Sequence, residues 1–205
     1  MTATRIANAL KGEILSGHLR PGEELSQAAI AERFSVSRIP VRDALSMLAN
    51  WGLADMAPRR SAQVRVLSED EVNESFDLRV ILEGDILRKA ISRATAENWD
   101  EIDRVRRLTD IDAEGPKWLS ADLDFHMALY KPASRRWELS LIENLHLICQ
   151  AQIASYLGLK AAPKDWLNDH EKICSLSRKG SGDAAVNLLT AHINRARESL
   201  LRGMH

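Results

Sequence analysis

Apolar residues recur one helical turn apart at Ile6, Leu10 and Ile14, which predicts an amphipathic helix over residues 3–16. Gly17 and the stretch Arg20-Pro21-Gly22 end it in a turn. Ser26 is positioned as the N-cap of a second helix, which runs through Ile30 and Ala31 to Phe34. Ser37 is positioned to cap a third, which ends near Trp51 with Gly52 just beyond. Pro40 falls in the first turn of that helix, where a missing N–H costs little. After Gly52 the period changes. Residues 53–57 and 62–66 predict two short strands, with Val64 and Val66 alternating in the second and Pro58-Arg59-Arg60-Ser61 as the turn between them. Three helices and a hairpin in about 66 residues make a winged helix-turn-helix.

Beyond residue 68 strand alternation disappears. Six helical segments are predicted, at about 69–93, 96–110, 117–130, 136–159, 163–179 and 182–202. Gly115-Pro116, Lys131-Pro132, Ala162-Pro163 and Gly180-Ser181-Gly182 lie in the breaks. The chain is therefore expected to be mainly α: a winged helix-turn-helix over 1–67, then an all-α six-helix bundle over 68–205.

Charge sharpens this division. Residues 1–66 carry 9 basic and 6 acidic side chains, whereas 67–205 carry 19 and 23. A basic small part joined to an acidic larger one suits a polyanion at the first, although chance variation gives the same balance. With 205 residues, 45% hydrophobic and 28% charged, the chain has the composition of a globular protein. No apolar run approaches the roughly 18 residues of a membrane span, and the N-terminus lacks the apolar core of a secretory signal. Two cysteines, Cys149 and Cys174, form no CxxC pattern, so a reducing cytoplasm is the expected compartment.

The third helix holds the first candidate chemistry. Val41, Ala44, Leu45 and Leu48 share one arc, while Arg38, Arg42 and Ser46 share another. Two arginines one turn apart near a helix N-terminus can meet phosphates, and a guanidinium can bind guanine O6 and N7 through two hydrogen bonds. The alternative is solvated ion pairing with neighbours such as Asp43. Arg59 and Arg60, at the hairpin tip, would reach backbone or minor groove.

These residues carry a resemblance. Gly17-His18-Leu19-Arg20-Pro21-Gly22-Glu23, Ile30-Ala31-Glu32-Arg33-Phe34 and Val36-Ser37-Arg38-Ile39-Pro40-Val41-Arg42-Asp43-Ala44-Leu45, with Leu48 and Gly52-Leu53, resemble the DNA-binding domain of GntR-family bacterial transcription regulators. The resemblance implies DNA contacts from Ser37, Arg38, Pro40 and Arg42, and from the wing at Arg59, Arg60 and Ser61. Two positions depart from the pattern: Ile39 stands where Thr is usual, and Ser61 where the wing usually has Gly.

In the bundle the informative residues are polar ones on apolar arcs. Asp122 and His126 sit one turn apart among Leu119, Leu123, Leu129 and Tyr130. His170 lies with Trp166, Leu167, Ile173 and Cys174, and His192 with Leu188, Leu189, Ile193, Ala196 and Leu200. An unpaired inward carboxylate would cost several kcal/mol. Either Asp122 pairs with the histidines or the four together bind a divalent metal. Three nitrogens and one oxygen favour zinc, with nickel and manganese as the other candidates. Arg79 poses a similar choice on the arc of Val72, Phe76, Leu82, Ile86, Leu87 and Ala90. It either pairs internally with Glu83 or receives the carboxylate of an anionic ligand. His18, His146 and His205 receive no role at this point.

Here too a resemblance enters. Leu78-Arg79 with Glu83, Asp122-Leu123-Asp124-Phe125-His126, Asp169-His170-Glu171 with Ile173, and Gly182-Asp183-Ala184-Ala185 through Ala191-His192-Ile193 look like the FCD ligand-binding domain of FadR-type regulators. Six helices are similar to its shorter, VanR-like branch. The resemblance implies Asp122, His126, His170 and His192 as metal ligands and Arg79 as the contact to a small organic acid. Ser134-Arg135-Arg136-Trp137 departs from the Ser-Gly-Asn often found there. It further implies a homodimer on an inverted-repeat operator in double-stranded DNA, acting as a repressor that a small carboxylate controls. Two other readings fit fewer of these features. One is a metal-dependent hydrolase, which leaves the N-terminal domain unexplained; the other is an architectural DNA-binding protein with a purely structural metal.

Overall fold

The computed structural model describes residues 1–56, 61–113, 115, 117–157 and 164–205. Helix α1 (Ala3–Leu15) begins where the Thr2 hydroxyl accepts from the Arg5 amide, and it buries Ile6, Ala7, Leu10 and Ile14. It packs on α3 (Arg38–Asn50), which buries Val41, Ala44, Leu45 and Leu48, the arc expected from the sequence. Helix α2 (Gln27–Arg33) is capped by Ser26 and buries Ile30 and Ala31. Strands β2 (Ala54–Met56) and β3 (Ser61–Val64) form the wing, with Ala54 opposite Val64 and Met56 opposite Ala62.

One strand was not expected. Strand β1 (Glu24–Ser26) pairs antiparallel with β3, Leu25 opposite Ala62, so the sheet order is β1-β3-β2. The strand forms because β3 offers a second edge and Leu25 has a core beneath it; both Leu25 and Ala62 are buried.

The six helices after residue 68 appear close to their expected bounds. They are α4 (Glu69–Arg93), α5 (Ala96–Asp112), α6 (Trp118–Tyr130), α7 (Arg136–Tyr156), α8 (Lys164–Arg178) and α9 (Gly182–Gly203). Glu69, Asp70 and Glu71 favour the positive N-terminal end of α4. A reciprocal capping box between Thr95 and Asn98 opens α5. A 3₁₀ turn at Lys131–Ala133 closes α6 and leaves Ser134 with a φ of 56°.

Contacts divide the chain into two compact units, and the division falls inside α7. The first unit holds Met1–Ser68 and the part of α7 from Leu147 onward; the second holds Glu69–His146 with α8 and α9. The expected boundary after residue 67 does not include that half-helix. It groups with the first unit for visible reasons. The Gln152 side-chain amide donates to the Arg65 carbonyl at 3.0 Å. Gly52, at a φ of +73°, lies so near Ile148 that a Cβ there would sit 2.5 Å from its Cδ1.

In the second unit α4 packs on α9 and α6, α5 on α6 and α8, and α8 on α9. Phe76, Ile86, Leu87, Phe125, Leu129, Ile173, Leu189 and Ile193 form its core. Leu82, expected on the buried arc of α4, is only half-buried, and the Glu83 side chain next to it is fully enclosed.

Candidate functional site

The first unit presents the N-terminal turn of α3. Ser37 caps it by backbone position only, since its hydroxyl makes no capping bond. Ser37, Arg38, Ile39 and Arg42 are exposed and Pro40 is half-buried. The neighbour suspected of occupying Arg42 is Asp43, but the two lie 3.7 Å apart with both side chains more than half exposed. Such a pair contributes about 0–1 kcal/mol, so Arg42 remains available to a phosphate or base. Ser61 opens β3, half-buried and opposite Ser26. Arg59 and Arg60 lie outside the described residues.

The second unit encloses the polar cluster. Asp122 and His126 come from α6, His170 from α8 and His192 from α9, all buried. One ligand atom from each lies within 4.8 Å of every other. The rings of His126, His170 and His192 stand 4.9–5.5 Å apart, centre to centre. His170 stacks on Phe125 at 4.3 Å, which fixes its plane.

Three facing atoms lack hydrogen-bond partners although they are buried: Asp122 Oδ1, His126 Nε2 and His170 Nε2. His170 Nε2 does approach Asp122 Oδ1 to 3.2 Å, without hydrogen-bond geometry. Orphaned polar atoms in a core are costly, and when they converge they fit a cation.

Protonation fits as well. Burial opposes the charge on Asp122, but His126, His170 and His192 outweigh it and hold the carboxyl below its ordinary range. Burial is also the main reason that His126 and His192 titrate below theirs. An ionised carboxylate beside imidazoles that burial biases to the neutral form, as at His126 and His192, is what a divalent ion requires.

Neighbouring groups orient the imidazoles. His192 Nδ1 donates to Asp169 Oδ2 at 3.2 Å, which turns Nε2 inward, and Arg195 pairs with the same carboxylate. On the other flank the Tyr130 hydroxyl donates to Glu83 Oε2 at 2.7 Å and lies 3.1 Å from His126 Nδ1.

Arg79 is 5% exposed and engaged. Its Nε donates to Glu83 Oε1 at 2.7 Å, and its Nη2 lies 3.0 Å from His146 Nε2. The internal pair foreseen as the alternative is thus present, and His146 joins it, 3.1 Å from Glu83 Oε1. His146, left without a role by the sequence, belongs to this network. So do Glu83 and Tyr130, which connect the Arg79 pair to His126 of the polar cluster. The missed signal was the arc Ile142, His146, Cys149, Ile153 on α7, all buried. Burial raises Tyr130, with Glu83 adding to it; Arg79, His146 and His126 overcome burial to keep Glu83 ionised.

Comparison with known proteins agrees with both halves. Residues 2–64 match the model of "Bacterial regulatory proteins, gntR family", and residues 74–195 match that of the FCD domain. The Escherichia coli K12 "HTH-type transcriptional repressor RspR" is 28% identical over 199 residues, covering 96% of this chain and 87% of that one. The "Gluconate operon transcriptional repressor" of Bacillus licheniformis is 26% identical over 175 residues, covering 84% and 71%. Among solved structures, E. coli McbR/YncC has the same fold with a TM-score of 0.85, at 18% identity over 99% of this chain and 98% of that one. A putative GntR regulator from Rhodococcus sp. RHA1 gives 0.75 at 25% identity, with 97% of both chains covered.

Proposed function

The chain belongs to the gntR family of bacterial regulatory proteins and carries an FCD domain, so it is a transcription regulator and not an enzyme; we propose that it is a cytoplasmic repressor controlled by a small carboxylate. Two copies would read an inverted repeat in double-stranded DNA, one recognition helix per half-site. Arg38 and Arg42, exposed at the start of α3, would read bases and phosphates, with Ser37 and Pro40 at the backbone. Arg59, Arg60 and Ser61 would place the wing against the backbone.

The effector reading rests on one observation: Asp122 Oδ1, His126 Nε2 and His170 Nε2 converge in the core without hydrogen-bond partners. Asp122, His126, His170 and His192 would hold a divalent ion, zinc being favoured over nickel and manganese by three nitrogens and one oxygen. When bound, the ion supplies a positive centre that accepts a carboxylate oxygen. Arg79 would take part of the effector's charge. Because Arg79 already holds Glu83, the effector has to share or displace that contact, which disfavours weakly charged ligands. One relative is named for a gluconate operon, and a hydroxycarboxylate suits these groups. Preferential binding to one arrangement of the FCD domain then shifts the population of DNA-competent dimers.

The test starts with selection of duplexes from a random pool by the full chain. Enriched inverted repeats are expected, and enrichment of no sequence would overturn the operator reading. Elemental analysis should give about one divalent ion per chain, absent in His170→Ala. A panel of small carboxylates should then release the selected duplex. If no carboxylate does so while the ion is bound, the effector reading fails.

A further inference from the structure

Tyr130 closes α6 one turn after His126, and both side chains are fully buried. The Tyr130 hydroxyl meets two polar groups. It donates to Glu83 Oε2 at 2.7 Å and lies 3.1 Å from His126 Nδ1. Glu83 comes from α4, and the other oxygen of its carboxylate accepts from Arg79 Nε at 2.7 Å. An ionised carboxylate only accepts hydrogen bonds, so the single proton of the hydroxyl belongs to the Glu83 bond. Toward His126 the hydroxyl then offers a lone pair alone, and Nδ1 has to carry a proton. Glu83 does not serve His126 directly, because Oε2 is 3.8 Å from Nδ1, beyond hydrogen-bond reach.

The opposite nitrogen feels the reverse pull. Among the described residues His126 Nε2 has no hydrogen-bond partner, and Asp122 Oδ1 stands 3.7 Å away. A carboxylate on that side draws a proton to Nε2, where it would occupy the place a cation needs. A neutral imidazole has one proton to share between its two nitrogens. Glu83, through Tyr130, holds it on Nδ1 and leaves the Nε2 lone pair to the cluster of Asp122, His170 and His192.

We propose that Glu83 and Tyr130 are positioning residues for His126: the carboxylate sets the direction of the Tyr130 hydroxyl, and the hydroxyl sets the imidazole tautomer that can ligate a divalent ion. The proposal deepens the metal reading and rests on it for the ion alone. It gives Glu83 a duty besides its pair with Arg79, one on each carboxylate oxygen. A change that keeps the size of Glu83 exposes the logic. In Glu83→Gln the amide oxygen is drawn to the Arg79 donor, so the amide NH2 turns to Tyr130. The hydroxyl accepts from that NH2 and gives its own proton to Nδ1. The imidazole proton is then forced to Nε2, the wrong side for a metal.

Long-range proton–nitrogen NMR correlation on the full chain, labelled at histidine and kept in chelator, is the test. His126 is assigned by the signals missing from His126→Asn. The wild type should show a protonated Nδ1 and a bare Nε2. Tyr130→Phe, which deletes one oxygen, and Glu83→Gln should both move the proton to Nε2. Zinc titrated against a competing chelator should bind about 10-fold more weakly in Tyr130→Phe and towards 100-fold more weakly in Glu83→Gln, the range for lost support of a metal ligand. A merely structural role would lower stability and leave the tautomer alone. Glu83→Gln removes the carboxylate opposite buried Arg79, so if it fails to fold, Tyr130→Phe decides by itself. A wild type protonated at Nε2 overturns the proposal. So does a Tyr130→Phe protein that keeps either the Nδ1 proton or a wild-type zinc affinity. A proton that moves as expected in a chain that takes up no zinc sinks the metal reading and leaves the positioning of His126 standing.

Discussion

Asp169 touches no metal in the proposed site, yet its removal should be felt there. Its Oδ2 accepts the His192 Nδ1 proton at 3.2 Å. That bond keeps the proton on Nδ1 and presents the Nε2 lone pair to the other ligands. In Asp169→Ala the ring is free to adopt the other tautomer or to turn. Losing such a supporting group typically costs 10–100-fold in metal affinity, which is about 1.4–2.7 kcal/mol. In a chain of this length each kcal/mol moves Tm by roughly 2–4 °C. The zinc-induced rise in Tm should therefore be smaller in the variant by about 3–11 °C at equal free zinc. Scanning calorimetry with and without chelator measures this difference directly. The chelated forms provide the control: Arg195, the other partner of Asp169, is partly exposed, so breaking that pair costs about 1 kcal/mol or less. An identical zinc-induced rise in both proteins would refute the assignment of His192 Nε2 as a ligand held by Asp169.

Three other outcomes are expected. Gly52→Ala should lose about 2 kcal/mol or more in urea unfolding, because it places a Cβ at a φ of +73° and drives it into Ile148; an unchanged midpoint would contradict that packing. Cys174, buried and bonded to Asp103, has its thiol pushed up to about 12. Alkylation of the folded protein at pH 8.5 should be on the order of 1,000-fold slower than of the unfolded chain, read by mass spectrometry, and comparable rates would refute the environment. The buried His126 and His192 titrate below the ordinary value of 6.5, so below that pH the unfolded chain binds more protons than the folded one. Stability of the chelated protein should be flat above about pH 7 and fall as pH drops through 6.5; a rise on acidification would refute it.

Much of this architecture was legible in the sequence because its helices carry strong one-sided patterns. The arcs on α1, α3, α6, α8 and α9 marked the core, and polar residues inside those of α6, α8 and α9 marked the cluster of Asp122, His126, His170 and His192. Strand β1 was not legible. Three residues with one buried side chain give no period, and the strand exists only because β3 lies beside it. His146 escaped for the opposite reason. Helix α7 is apolar on several faces, so a histidine in it does not stand out against a polar side. For Arg79 the sequence offered two roles at the right spacing, and only the geometry showed the Glu83 contact in place.

The division of α7 has a consequence for how such regulators can be recombined. A graft made at residue 68 looks natural, because the winged helix-turn-helix ends there along the chain. It would leave behind Ile148 and Gln152, which complete the surface around Gly52 and Arg65. A transplanted head would then meet a half-helix shaped for a different one. Exchange between homologues should succeed only when the stretch from Leu147 travels with the N-terminal segment, so two distant pieces of the gene form a single heritable module.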